Sequence, residues 1–429
     1  MTEPQADRPL GAGSITPTRD RQISILMLAL WTLVTVWQQW GHWAEDLSAV
    51  YIAASLWQSG QTDLIYAAPP GFFGGVAASW LPVMDQLGIG QETSFPYVYP
   101  PLWAAFIGPL TGPLSIHGFF NLMTLLQVPM LAGSVLLTAR ILKSAAMPLW
   151  LWTTLALMIL NLSIQSHVAL WHNQPTISVT FLTLLAFERL NADRPVAAGI
   201  ALALAAAIKL TPAAFVLIFL IDRQHRATAA FMIAGAALAG LSIALTGWPL
   251  HQAFLDSVRQ VSDSALLTEI NITLRTAILA LGSATHAFAP IDMTVPHIYR
   301  SPPGWLGPTV ALAGLVLLAL ILRALSPLTG PTRRGIGLFV ASVILSLFGP
   351  LGWQHYYLLP MLLLPGLVGL LPKERAMLPL AAIVLPSLYF VFEARSLLPW
   401  PAATVVWIFS AGWLAVLAAL FHAARSQPR

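Results

Sequence analysis

The chain has 429 residues, of which 57% are hydrophobic and only 9% are charged. Soluble proteins carry about a quarter charged residues, so this composition excludes an ordinary soluble domain and predicts a polytopic membrane protein. The net charge of +4 occurs in short clusters, which fit inter-helix loops better than a nucleic-acid-binding face. The lack of cysteine excludes disulfides, thiolate metal sites and a cysteine nucleophile.

Residues 1–21 are predicted to be a disordered cytoplasmic tail and not a signal peptide, because no apolar run starts near Met1. Twelve apolar stretches follow, although several are shorter than the roughly 20 residues that a comfortable span needs. The predicted spans are 23–40, 117–138, 147–160, 176–187, 196–208, 212–221, 231–245, 310–322, 337–347, 358–371, 378–392 and 405–421.

Alternating these spans places every basic cluster on one side of the membrane, with both chain ends cytoplasmic. Residues 22–423 are therefore predicted to form one all-α transmembrane domain of about twelve helices, followed by a cytoplasmic tail at 424–429. The two long external loops cover about 41–97 and 247–306.

The first external loop contains an adjacent acid pair, Glu45 and Asp46, just after the first span. The segment after this pair has helical periodicity and reaches Gly60, which is placed to stop a helix. Asp46 in the first turn could be the catalytic base of a membrane glycosyltransferase. Capping of the helix by Asp46 or Glu45 is an equally good explanation from this stretch alone.

Two further segments look broken at membrane depth. Residues 94–110 are short and interrupted by prolines, which indicates a re-entrant or half-helix segment packed in protein or lining a cavity. Residues 208–212, IKLTP, separate two short helices and suggest a cavity wall with Lys209 at the break. The acid pair, IKLTP, NITLR (271–275) and WQHYY (353–357) all fall on the external side, which favours an active site there.

A lipid-linked sugar donor needs cations for its phosphate, a carboxylate for the acceptor proton, hydrogen bonds for the sugar and an apolar groove. Lys209, Arg275 and His355 are the external cations available for the phosphate. Each has a structural alternative: a snorkelling lysine, an interfacial arginine anchor and a structural histidine. Tyr97 and Tyr99 could bind sugar or line the groove, although aromatic residues are also common at membrane interfaces.

His167 and His172 lie in one predicted external loop, residues 161–174. Their five-residue spacing and the lack of nearby carboxylates argue against a metal site. Gly-rich phosphate loops, nucleophile elbows and zinc motifs are also missing from the sequence.

At the level of these segments, the chain resembles the bacterial integral-membrane glycosyltransferases of family 87, which have the GT-C fold and use polyprenyl-phosphate sugars. The matching segments reach from Asp46 to about Pro360 in family order, and the YPPL and AAxKLTP segments are the most specific. They are DLSAVYIAASLWQSGQTDLIY, FPYVYPPLWAAFIGPL, the stretch from NQPTIS to FLIDR, NITLRTAIL and GWQHYYLLPML.

The resemblance implies that Asp46 matches the catalytic aspartate and that His355 matches the histidine of the late W-x-H motif. It places Lys209 on the KLTP lysine and Asn271 and Arg275 on the Asn-x-x-x-Arg motif. Two positions depart from the family pattern. Asn173-Gln174 stands where Gly-Gln is usual, so Asn173 departs from the pattern while Gln174 matches it and is a candidate site residue. Tyr356 stands where a second histidine is frequent.

These features predict an inverting, metal-independent and cofactor-independent transfer of one sugar, mannose above others. The donor would be a polyprenyl-phosphate sugar and the acceptor a lipid or glycan on the periplasmic face of the bacterial inner membrane. A transporter or flippase of lipid-linked sugars is the alternative, and it predicts paired broken helices in both halves, of which only IKLTP is evident. A structural envelope protein is a third class, and it would tolerate loss of Asp46 and Lys209.

Overall fold

A computed structural model describes residues 16–69, 72–73, 75–291, 298–328, 330–397 and 401–426. Within these ranges the chain is almost entirely helical. The helices are α1 (Pro17–Gln39), α2 (Glu45–Gln58), α3 (Leu81–Gln86), α4 (Pro101–Ile107), α5 (Ile116–Leu142), α6 (Leu149–Leu162), α7 (Ile164–Trp171), α8 (Thr176–Asn191), α9 (Pro195–Ile208), α10 (Val216–Ile221), α11 (His225–Asp263), α12 (Leu274–Ala284), α13 (Leu306–Ala324), α14 (Gly330–Leu347), α15 (Leu358–Leu363), α16 (Leu367–Leu370), α17 (Lys373–Ser387), α18 (Tyr389–Ala394) and α19 (Ala402–Ser426).

The helix starts follow from local side-chain chemistry. The hydroxyl of Ser115 accepts a hydrogen bond from the third amide of α5, and the hydroxyl of Ser163 does the same for α7. Thr273 and Thr276 form a reciprocal capping box at α12. Pro101 starts α4, where the missing amide proton costs nothing because it would have no partner within the helix.

The described chain has fewer long apolar helices than the twelve spans predicted from the sequence. Among the described residues, five helices are long and apolar enough to cross a membrane: α1, α5, α11, α13 and α19. Several shorter apolar helices accompany them, as the short stretches of the sequence predicted. Gly247, with φ of 76°, breaks α11 at the predicted end of a span, and the second half of that helix continues to Asp263.

Three sequence predictions differ from the structure. The predicted loop 161–174 contains helix α7, because Ser163 ends α6 and caps a new helix in place. Residues 1–15 of the predicted tail lie outside the described residues, and α1 begins at Pro17 and not after residue 21. The second external loop includes two short antiparallel strands, β1 (Ala265–Leu267) and β2 (Ile298–Arg300), with Leu266 opposite Tyr299.

Two apolar clusters organise the chain. The larger one joins the long helices, and the smaller one belongs to the first external region and the start of α5. Helix α2 lies inside the smaller cluster, where Ile52, Ala53 and Leu56 are completely buried. Apolar burial of this kind fixes a helix without help from a strong cap. It therefore holds the first turn of α2, and with it Asp46, in a defined position.

Two groups of ion-paired arginines lie at the opposite end of the bundle from Asp46. Arg140 at the end of α5 pairs with Glu188 at the end of α8 at 2.8 Å. Arg333 and Arg334, near the start of α14, both pair with the buried Asp222. These ion pairs tie together the helix ends that the sequence analysis assigned to the cytoplasmic side.

Candidate active site

Asp46 lies in the first turn of α2, as predicted, but it does not cap the helix. The capping position is Ala44, and the described structure shows no side-chain hydrogen bond at this cap. The Oδ2 atom of Asp46 instead accepts a hydrogen bond from Nε2 of Gln174. Its Oδ1 atom has no hydrogen bond to any described residue. The carboxylate is half-buried, so it can still be reached.

Gln174 reaches Asp46 because the turn after α7 is held in an unusual conformation. Asn173 adopts φ of 46°, in the left-handed region that asparagine tolerates better than most residues. Its side-chain amide donates to the carbonyl of Phe120 and the hydroxyl of Thr124, and its Oδ1 accepts from Gln127 at 2.9 Å. Asn173, which the resemblance marks as a departure from glycine, therefore anchors the turn to α5.

Lys209 stands at the break between α9 and the following 3₁₀ turn, Thr211–Phe215. Its Nζ atom donates to the hydroxyl of Thr176 at 2.7 Å and to Oε1 of Gln174 at 3.3 Å. It also lies 4.5 Å from the ring centroid of Tyr356, close enough for a cation–π interaction. One amide therefore bridges Asp46 and Lys209, with the carboxylate on its nitrogen and the ammonium on its oxygen.

The two predicted tyrosines occupy different places. The hydroxyl of Tyr99 lies 3.4 Å from Oε1 of Gln174, and its ring centroid is 5.6 Å from Nζ of Lys209. Tyr97 is one ring further away, with its centroid 5.7 Å from that of Tyr99. The Tyr97 hydroxyl donates to the carbonyl of Pro100 at 2.9 Å, so it supports the YPPL turn. Of these two tyrosines, Tyr99 is therefore the one that contacts the Gln174 and Lys209 side chains directly.

His355 is buried next to this group. Its ring packs edge-on against Tyr356 with the centroids 4.9 Å apart. Both ring nitrogens are buried without a hydrogen-bond partner in the described residues. Burial lowers the pKa of His355 well below 6.5, and the nearby charges of Lys209 and His172 lower it further. A buried donor and acceptor left unpaired is costly, which favours a bound group that supplies the missing hydrogen bonds.

The hydrogen bonds of the Asn271 and Arg275 side chains go to the backbone and not to the Asp46 group, and Nε of Arg275 is buried without a partner among the described residues. Asn271 is fully buried, donates to the carbonyl of Leu266 and accepts from the amide of Gly352. Arg275 donates to the carbonyls of Ser262, at 2.6 Å, and Ser264. Through Gly352 and, for Arg275, the carbonyl of Pro350 at 3.5 Å, both residues support the backbone that leads to His355. The sequence analysis had offered Arg275 as a cation for the donor phosphate.

An additional charged cluster lies beside Asp46. Glu45 accepts from the hydroxyl of Thr93 at 2.7 Å and pairs with Nδ1 of His172 at 3.3 Å. The contact with His172, assisted by Thr93, holds the pKa of Glu45 below its usual value despite burial. Burial lowers the pKa of His172, but the contact with Glu45 and the charge of Asp46 outweigh it and leave that pKa raised.

Sequence reasoning missed this part of the site. Thr176 was not singled out, and His172 was considered only as a metal ligand. The available signal was that both residues lie two positions from Gln174, which is in the turn between α7 and α8. Among the described residues no group of three or more His, Asp or Glu side chains is arranged to hold a metal ion.

A cavity of about 340 Å³ opens from Lys209 and Tyr356. Its walls come from α8, the second half of α11, α14 and the IKLTP break, and they are mainly apolar, including Phe215, Val261 and Leu345. Mostly apolar pockets with a few convergent polar groups are typical of ligand sites. The arrangement can hold an amphiphile with its anionic end at Lys209 and its apolar part in the cavity.

Comparison with known proteins agrees with this chemistry. The chain is 27% identical over 397 residues to the polyprenol-phosphate-mannose-dependent alpha-(1-2)-phosphatidylinositol mannoside mannosyltransferase of Mycobacterium tuberculosis, covering 84% of this chain and 81% of that protein. The profile of glycosyltransferase family 87 matches residues 97–350, which include Gln174, Lys209 and most of the cavity wall. A family profile that matches more than half of the chain establishes family membership. The protein is a multi-pass membrane enzyme that belongs to glycosyltransferase family 87.

Proposed function

We propose that this enzyme transfers one sugar, mannose in preference to others, from a polyprenyl-phosphate donor to a lipid or glycan acceptor. The donor class and the sugar are carried over from the name of the mycobacterial relative. The transfer would invert the anomeric centre and take place at the periplasmic face of the bacterial inner membrane. Family membership favours transfer over the alternative of transport.

The observation that carries the proposal is the placement of a carboxylate and an ammonium on the two ends of one amide, at the mouth of an apolar cavity. Asp46 and Lys209 are both bound to Gln174, and Lys209 lines the cavity. A sugar between them would have its attacking oxygen near the carboxylate and its leaving phosphate near the ammonium.

In the proposed step, Asp46 takes the proton of the acceptor hydroxyl as that oxygen attacks the anomeric carbon. The bond from this carbon to the phosphate oxygen breaks, and polyprenyl phosphate leaves with the bonding electrons. Lys209 compensates the growing negative charge on the phosphate, which is the electrostatic role that accelerates such reactions most. The neutral ring of His355 can donate one hydrogen bond to the phosphate or the sugar.

The cavity suits the first isoprene units of the donor. Its apolar walls at α8, α11 and α14 would take hydrocarbon out of water, which stabilises the complex by about 25 cal/mol for each Å² of apolar surface buried. The phosphate would remain at the polar end with Lys209 and Thr176.

The test is sugar transfer by purified enzyme in lipid vesicles, with radiolabelled polyprenyl-phosphate mannose as donor and a bacterial lipid extract as acceptor. Asp46→Asn keeps the size and the hydrogen bond from Gln174 but removes the base, so kcat should fall by about 100-fold or more. Asp63→Asn is the matched control, because Asp63 is an exposed acid of the same external region.

Size-exclusion chromatography would verify that both variants fold. Equal kcat for Asp46→Asn and wild type would remove Asp46 from the mechanism. Failure of the wild type with mannose, followed by transfer from another polyprenyl-phosphate sugar, would contradict the sugar but not the reaction. A retained β linkage in the product from a β-linked donor would contradict inversion, and inhibition by EDTA would contradict metal independence.

A further inference from the structure

A second cavity lies at the basic end of the bundle, far from Asp46 in the fold. It has a volume of about 430 Å³ and lies between the C-terminal ends of α13 and α19. Arg323 and Arg425, each in the last turn of its helix, line it together with the apolar side chains of Leu320, Leu328 and Phe421.

These two arginines differ from the four ion-paired arginines at the same end. Arg140 and Arg189 share Glu188, and Arg333 and Arg334 share Asp222. Neither Arg323 nor Arg425 forms an ion pair or a side-chain hydrogen bond with any described residue. Arg425 lies over the Phe421 ring, whose centroid is 5.8 Å from its guanidinium carbon. The cavity therefore joins two positive charges that have no ion-pair partner among the described residues.

An apolar strip leads away from this cavity along α13. Leu312, Val316 and Leu320 repeat every four residues on one side of the helix, and between 50% and 61% of each is exposed. Residues at this spacing share one helix face. The strip ends at the turn that carries Arg323, so a molecule with an anionic head and a hydrocarbon chain would match both features.

We infer that the Arg323–Arg425 cavity binds the phosphate headgroup of an anionic phospholipid of the cytoplasmic leaflet, with one acyl chain along the exposed strip of α13. Arginines complement the negative C-terminal ends of helices, which explains their presence but not their meeting in one cavity. Basic pockets between membrane helices on the cytoplasmic side are suited to lipid phosphates. This site is independent of the sugar-transfer reaction.

The experiment measures equilibrium binding of pyrene-labelled phosphatidylglycerol and phosphatidylcholine to delipidated enzyme in non-ionic detergent, by energy transfer from tryptophan. Wild type should prefer phosphatidylglycerol. Each arginine near a lipid surface strengthens the attraction of anionic lipid, so Arg323→Gln/Arg425→Gln should weaken phosphatidylglycerol binding about 30-fold and leave phosphatidylcholine binding unchanged. Arg323→Lys/Arg425→Lys should keep most of the preference.

Arg194→Gln/Arg226→Gln is the matched control, because both arginines are exposed, belong to the predicted cytoplasmic loops and form no ion pair within the described chain. An equal loss in this control would show general attraction between basic loops and anionic lipid, and would overturn the site. An unchanged lipid preference in Arg323→Gln/Arg425→Gln would also overturn it. Competition by millimolar glycerol 3-phosphate would show that the cavity takes free phosphate instead of lipid.

Discussion

Gln174 separates the two opposite charges of the site. A direct contact between Asp46 and Lys209 would neutralise both groups before substrate arrives. The amide instead donates to the carboxylate and accepts from the ammonium, so each charge keeps unused hydrogen-bonding capacity. We expect the acceptor hydroxyl to use that capacity at Asp46 and the donor phosphate to use it at Lys209.

Gln174→Glu tests this arrangement with a side chain of nearly the same shape. The new carboxylate can still accept from Lys209, but it faces the Asp46 carboxylate with a like charge. Two such carboxylates share a proton, which raises the pKa of the base. The acid limb of the pH profile of kcat should therefore move to higher pH, as measured by sugar transfer between pH 5 and pH 9.

Gln174→Leu is the companion variant, because it removes both hydrogen bonds without adding charge. It should lower kcat/KM by about 10- to 100-fold, since hydrogen bonds to charged groups contribute about 1.5–3 kcal/mol each. An unshifted acid limb in Gln174→Glu, with full activity in Gln174→Leu, would show that the amide has no part in positioning the base.

The Glu45–His172 pair gives a pH-dependent contribution to stability. The pKa of His172 is raised above 6.5 in the folded protein, so its contribution is complete below that value and is lost as pH rises through the raised pKa. The pKa of Glu45 is lowered below 4.5, so its contribution is complete above that value and is lost as pH falls through the lowered pKa.

The stabilisation should therefore be greatest between about pH 4.5 and pH 6.5. Thermal unfolding of wild type and His172→Gln between pH 5 and pH 9 measures it, and the difference in Tm should shrink as the pH rises through the raised pKa of His172. His167→Gln is the control, since His167 lies within α7, shortly before His172 in the chain, but has no ion pair in the described chain. A difference in Tm that stays constant from pH 5 to pH 9 would contradict the pairing.

At the scale of elements, the segment before α15 is positioned by its neighbour in the second external region. The amide of Ile272 donates to the carbonyl of Gly352, and the amide of Gln354 donates to the carbonyl of Ile270. The Tyr357 hydroxyl donates to the carbonyl of Ile272 at 2.7 Å. A side chain at Gly352 would overlap the Ile272 carbonyl, so glycine is required for this close approach. His355 is carried between these fixed points.

Arg275 also holds this part of the backbone in place. A structural role and a phosphate-binding role of Arg275 therefore predict different effects of substitution. Lysine keeps the charge of Arg275 but cannot donate to two separate carbonyls in the geometry of a guanidinium fork. Arg275→Lys and Arg275→Gln should therefore both lower Tm, while the KM for the polyprenyl-phosphate donor changes less than about threefold. A donor KM that rises strongly in Arg275→Gln and recovers in Arg275→Lys would show that Arg275 binds the donor phosphate.

At the scale of the whole molecule, the fold places its two kinds of polar groups at opposite ends. Asp46, Gln174, Lys209 and Tyr356 meet at one end, and the paired arginines of α5, α8 and α14 meet at the other. The positive-inside rule then predicts that the Asp46 end faces outward.

The lack of cysteine makes this orientation easy to test. Single cysteines replacing the exposed Ser59 and Thr285 should react with a membrane-impermeant maleimide in right-side-out vesicles. Cysteines replacing the exposed Ala192 and Ser326 should react only after permeabilisation. The reverse pattern would place the Asp46 end in the cytoplasm, and reaction of all four in sealed vesicles would contradict the predicted topology.

The sequence alone was enough to predict the membrane class, the helical fold, the helix around Asp46 and the break at Lys209. These features depend on local patterns: apolar runs, helical periodicity, and Pro or Gly at fixed positions. Their energetics are decided by neighbours in the chain and by the lipid around it, so they can be read without knowing the packing.

The tertiary structure decided which polar residues meet. Asp46, Gln174 and Lys209 are more than 30 residues apart from one another in the chain, and their hydrogen bonds depend on how α2, α7 and α9 pack. The same packing turns Asn271 and Arg275 toward backbone carbonyls, although their sequence motif suggested a phosphate site. A buried polar group must find a partner wherever the fold provides one, and only the folded chain determines whether that partner is backbone, side chain or substrate.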